Sequence, residues 1–138
     1  MDYMQILLAN DHPMCWMEAP DFDYEIAQHR FASFEKELQN TLKIAVRTES
    51  GELLQDAIYH TEAFLPVDDD PQPSIRFSSF GALVTIFLSE KVPESWQRAI
   101  ENLLAKHGYV YIPAHVLAQP YEGIHKRFPD WFSRYFGA

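Results

Sequence analysis

The sequence predicts an α+β domain in which an antiparallel sheet of about four to five strands carries helices on one face. Three observations predict it: two hairpin-like pairs of strand segments, a strongly amphipathic helix after Pro93, and a glycine- and proline-free helical stretch before the first hairpin. With 138 residues, of which 47% are hydrophobic and 14% aromatic, the chain has the size and composition of one globular domain spanning 1–138.

Residues 23–40 place Phe31, Phe34, Leu38 and, just beyond, Leu42 at helical spacing among good helix formers such as Ala27, Ala32, Glu35, Lys36 and Glu37. A helix from Asp23 to Asn40 is the expectation, although Tyr24 and Ile26 would also tolerate a strand. Thr41–Thr48 then alternates, with Leu42, Ile44 and Val46 on one parity, as a half-buried strand does. Glu49-Ser50-Gly51-Glu52 reads as a turn and Asp56–Phe64 as the returning strand, with Ile58, His60 and Glu62 sharing a parity.

Pro66-Val67-Asp68-Asp69-Asp70-Pro71-Gln72-Pro73 interrupts the pattern. Three prolines and three like charges exclude a central strand or helix, so this is an acidic loop within the domain rather than a linker between two. Ser74–Ser78 and Ala82–Leu88 form the second predicted hairpin across Ser79-Phe80-Gly81. Pro93 opens the clearest helix, with Trp96, Ile100, Leu103, Leu104 and His107 on one face and Gly108 at its end. Tyr109–Ile112 reads as a short strand stopped by Pro113, and Ala114–Ala118 as one helical turn. In a helical Trp131–Phe136, Trp131 would meet Tyr135 and Phe132 would meet Phe136, and this aromatic tail is expected to dock on the domain.

Charge is the most informative bulk property. Eleven Lys and Arg face twenty Asp and Glu, a net charge of −9. Residues 1–70 hold four bases against fifteen acids, a net of −11, whereas residues 71–138 hold seven bases against five acids, a net of +2. Such a field repels phosphate and attracts cationic partners, so nucleic acid is not an expected partner. No apolar run approaches the length of a membrane span, and Ile6–Ala9 is too short for a secretory core. Cys15 is the only cysteine, which excludes an internal disulfide. Together these features lead to a cytoplasmic expectation.

Catalytic motifs are sparse. The five glycines are dispersed and form neither a phosphate loop nor a dinucleotide fingerprint. Asp11, His12 and Cys15 are too few to complete a zinc site, and Asp68–Asp70 lacks the spacing of a calcium loop. No metal, cofactor or catalytic residue is therefore assigned. The enzymatic alternative would use a Cys15–His pair, His60 with Glu62, or His115 near Tyr111. A second alternative is a homo-oligomeric structural protein whose aromatics, including the tail, bury against a symmetry mate.

Met14, Trp16, Met17, Phe22 and Tyr24 are interleaved with Glu18, Asp21, Asp23 and Glu25. Aromatic anchors ringed by carboxylates suit a protein-binding surface for a basic partner, because the rings supply contact area and the charges steer. The candidate partner-binding residues are Trp16, Asp21, Asp23, Tyr24 and Glu25, with Asp68, Asp69 and Asp70. The alternative is that the rings only cover the sheet.

The helix Pro93–His107, the strand within Gly108–Pro113, Pro120-Tyr121-Glu122-Gly123 and the tail Trp131–Phe136 resemble small bacterial immunity proteins of polymorphic and contact-dependent toxin systems. The resemblance covers roughly residues 74–138. It implies a non-catalytic cytoplasmic inhibitor that binds a cognate toxin domain, and it assigns no contact residue.

Overall fold

The computed structural model describes residues 2–51, 54 and 58–137. The chain is α+β. Its elements are α1 (Tyr3–Ala9), α2 (Tyr24–Leu42), β1 (Arg47–Ser50), β2 (Tyr59–Phe64), β3 (Ser74–Ser78), β4 (Leu83–Phe87), α3 (Glu94–Lys106), β5 (Val110–Tyr111), α4 (Ala114–Leu117) and α5 (Trp131–Phe136). One five-stranded sheet runs in the order β1-β2-β3-β4-β5.

Helix α1 goes beyond what the short run Ile6–Ala9 indicates. Asp2 caps it by accepting from the Gln5 amide, and Leu7 is buried. Asp23 caps α2 in the same way, accepting from the Ile26 amide at 3.1 Å. The helix continues through Leu42, so the strand expected over Thr41–Thr48 is corrected: β1 begins only at Arg47. Helical spacing beyond Leu38 wins over the alternation, and Lys43 ends the helix in the left-handed region at φ 57°. Leu42, Ile44 and Val46 still pack against the core, the last two from a connector in which the Gln39 side chain accepts from the Val46 amide.

Strands β1 and β2 pair antiparallel from Arg47↔Phe64 to Ser50↔Thr61. Glu49 and Ser50 therefore extend the strand, while Glu52 and the predicted strand start at Asp56 and Ala57 lie outside the described residues. The second hairpin is present as β3 and β4, with Ile75↔Ile86 in register. At its turn a Cβ on Gly81 would lie 2.1 Å from the Asn10 Oδ1, so only glycine lets that side chain approach.

The sheet is antiparallel, as expected, from β1 to β4, and the last strand, β5, runs parallel to β4. A parallel neighbour needs a crossover, and α3 supplies it.

The two long helices cover one face, as expected. Phe31, Phe34 and Leu38 of α2 and Ile100, Leu103 and Leu104 of α3 pack on Ala63, Ile75, Phe77, Val84 and Ile86. Glu37 ties them together through Lys106 Nζ at 2.6 Å and His107 Nε2 at 2.8 Å, and these bonds hold its carboxyl below the usual carboxylate range. The short helices occupy the other side, around Leu7, Ile58, Phe80, Leu83, Ile112, Val116, Leu117, Trp131, Tyr135 and Phe136. Polar sheet residues receive α5 there: Ser78 Oγ donates to the Tyr135 carbonyl and Arg76 to that of Phe136. Placing helices on one face only is thus refined, because the alternate residues Ser74, Ser78 and Thr85 are buried as well.

The tail forms both expected ring contacts, Trp131 with Tyr135 and Phe132 with Phe136, each stacked at 5.9 Å. Burial of Trp131, Tyr135 and Phe136 within the chain leaves those rings unavailable to a symmetry mate.

A candidate partner-binding surface

The segment from Asn10 to Asp23 has little regular structure of its own, and its position is set by α5. Arg134, fully buried, donates from Nε to Asp11 Oδ1 at 2.8 Å, from Nη2 to the Cys15 carbonyl at 2.8 Å and from Nη1 to the Trp16 carbonyl at 3.3 Å. Its guanidinium lies against the Phe80 ring at 4.5 Å. Asp11 also accepts from the Tyr121 hydroxyl at 2.8 Å and from the Ile124 amide at 3.4 Å. A Cβ on Gly123 would lie 2.1 Å from Asp11 Oδ2, so glycine leaves room for this carboxylate. The imidazole of His125 donates from Nε2 to the His12 carbonyl at 2.8 Å, and the Ala19 amide bonds the Ser79 carbonyl at 3.0 Å.

A clamped backbone therefore presents exposed side chains. Met14 is 83%, Trp16 40%, Met17 41%, Tyr24 43% and Ile26 61% exposed. Glu18, Asp21, Asp23 and Glu25 are exposed among them. Burial over the sheet claims only Phe22 of these rings, which lies 5.6 Å from His60. Arg127 stacks over Trp16 at 4.1 Å.

The eight candidate residues fall into two groups. Trp16, Asp21, Asp23, Tyr24 and Glu25 gather at the sheet end where β2 begins and β3 finishes. Asp68, Asp69 and Asp70 join the end of β2 to the start of β3 at the opposite end of the sheet, a strand length of about 17 Å away. The acidic loop is tied down: Lys91 Nζ donates to the Asp68 carbonyl at 2.8 Å and Gln72 Nε2 to the Leu65 carbonyl at 2.7 Å. The Asp70 amide, then Ser89, lower the pKa of Asp69, which stays ionised at neutral pH.

Of the enzymatic constellations, His60 with Glu62 is not formed. A bulge between Tyr59 and Thr61 reverses the parity of β2. His60 joins Phe77 on the α2 face, at 6.2 Å between ring centres, while Glu62 meets Arg76 at 3.2 Å on the other. The Cys15 thiol has no histidine at hydrogen-bond distance among the described residues, and His115 is exposed without a bond to Tyr111. No three His, Cys, Asp or Glu side chains converge on a metal-holding group among the described residues. No helix among them is long and apolar enough to cross a membrane.

Burial pushes the His60 imidazole down to about 4. In the unfolded chain an imidazole takes up its proton near 6.5, so the folded state is increasingly disfavoured as pH falls from about that value toward 4. The loss is on the order of 3 kcal/mol across that window and absent above it. Urea unfolding at neutral pH and again near the lower end of the window should show the difference, and His60→Gln should remove most of it. Equal pH dependence in the two proteins would contradict the assignment of this limb to His60.

Comparison with known proteins returns no matching family model, no matching curated protein and no matching solved structure.

Proposed function

We propose that the chain is a non-catalytic protein-binding module that neutralises a basic protein, in the manner of the toxin-neutralising immunity proteins its C-terminal half resembles. The supporting observation is the clamped surface: exposed Met14, Trp16, Met17, Tyr24 and Ile26 set among Glu18, Asp21, Asp23 and Glu25 on a backbone held by a buried arginine. Rigid aromatic and thioether anchors bind at low entropic cost, and surrounding carboxylates raise the encounter rate with a cationic surface. Asp68–Asp70, at the far end of the sheet, contributes to the long-range field rather than to the same contact patch.

The test uses the product of the reading frame next to this one, purified as a toxin domain. Salt-sensitive complex formation is expected. The combined change Asp21→Lys, Asp23→Lys and Glu25→Lys should weaken it roughly tenfold or more, mainly through the association rate. Trp16→Ala should cost roughly a further tenfold through dissociation. Unchanged affinity in both variants would place the contact elsewhere, and a neighbouring product that is neither basic nor bound would remove the toxin-neutralising reading.

A further inference from the structure

Beside the proposed partner surface lies a cleft of about 220 Å³ between the Ala19–Asp23 segment, the first turns of α2 and the β3–β4 turn. It is smaller than a drug-sized pocket, so it suits a very small ligand. Opposite charges line it without meeting. Among the described residues Arg30 has no carboxylate within ion-pair distance and the Asp21 carboxylate accepts no hydrogen bond, although both border the cleft.

One inner group is also unused. Tyr109 is only 7% exposed, and its hydroxyl has no hydrogen-bond partner among the described residues, a costly state for a buried polar atom. The Arg30 guanidinium lies 5.7 Å from the centre of that ring. His60 bonds Thr61 Oγ1 through Nδ1 at 2.8 Å, and Thr61 accepts in turn from Gln28 Nε2 at 2.9 Å. The cleft thus offers donors at Tyr109 and Arg30, a carboxylate at Asp21, and apolar walls at Phe22 and Ala82, with the His60 ring beside them.

We propose that this cleft binds a small zwitterion of the α-amino-acid class, its carboxylate received by Arg30 and the Tyr109 hydroxyl and its ammonium by Asp21. A ligand carrying both charges satisfies groups that the protein itself leaves apart, and a ligand of one sign would leave the other charge unmatched. The inference rests on the cleft alone, so its failure leaves the protein-binding reading standing.

The test is a nuclear magnetic resonance titration of the isolated full chain with glycine, alanine, leucine and phenylalanine. Isoamylamine and isocaproate serve as leucine analogues lacking one charge each. Leucine should shift the Gly81 and Ala82 amides and the His60 ring saturably, and each single-charge analogue should bind roughly tenfold more weakly. Arg30→Gln and Asp21→Asn should each weaken binding about tenfold. Tyr109→Phe should weaken it severalfold without lowering the thermal midpoint, because it deletes an unsatisfied hydroxyl. The proposal is overturned by equal binding of either analogue, or by no saturable shift with any of the four amino acids up to about 10 mM, which leaves only water in the cleft.

Discussion

Arg134→Met is expected to lower the unfolding free energy by about 3–5 kcal/mol. The guanidinium is fully buried and Asp11 nearly so, and the pair meets at 2.8 Å. Removing the cation leaves the Asp11 carboxylate in a low-dielectric interior with only the Tyr121 hydroxyl and the Ile124 amide to stabilise it. The carbonyls of Cys15 and Trp16 lose their donors at the same time. For a chain of this length the loss corresponds to a fall of roughly 10–17 °C in the thermal midpoint. Replacing both charges, in Asp11→Leu with Arg134→Met, should recover about half of it or more, because an apolar pair leaves no uncompensated charge. Hydrogen exchange should accelerate between His12 and Ala19 in the single variant. A loss below about 1 kcal/mol would mean that the pair is far better solvated than its burial indicates.

Phe77→Ala is the second large effect, again about 3–5 kcal/mol, but by a different mechanism. Phe77 sits on the central strand β3, with ring centres 5.1 Å from Phe31, 5.7 Å from Phe34 and 5.0 Å from Tyr109. Truncation forfeits the apolar transfer energy, opens a cavity that the sheet cannot close, and removes these edge-to-face contacts. It also exposes the neighbouring imidazole. The His60 pKa should rise from about 4 toward its ordinary value as water enters, which a proton titration of the ring would follow. Destabilisation without that rise would show that the space collapses rather than fills.

Local signals are sufficient for most elements. Pro93, Glu94 and the apolar face of Ile100, Leu103 and Leu104 mark α3 because a helix start, a dipole and a period agree there. The Thr41–Thr48 alternation misleads because a short apolar pattern fits either the last turn of a helix or a strand, and only packing on the core decides between them. The bulge at His60 leaves no trace in composition, so the parity of Glu62 is not legible. One signal could have found the clamp: a lone arginine in the aromatic tail Trp131–Phe136 is the one charge in that helix, and a buried arginine requires a carboxylate. Its partner, 123 residues earlier, has no local mark.

By itself, the sequence determined the α+β class, the order of most elements, the two ring contacts of the tail, and the concentration of acidity in the first half, since each depends on composition or on neighbours a few residues apart. Only the tertiary structure decided that β5 runs parallel, that helices cover both faces, that the acidic residues divide between two ends of the sheet, and that Arg134 holds Asp11. Those outcomes depend on contacts between residues far apart in the chain, where packing and the desolvation of buried charge, rather than local periodicity, select the arrangement.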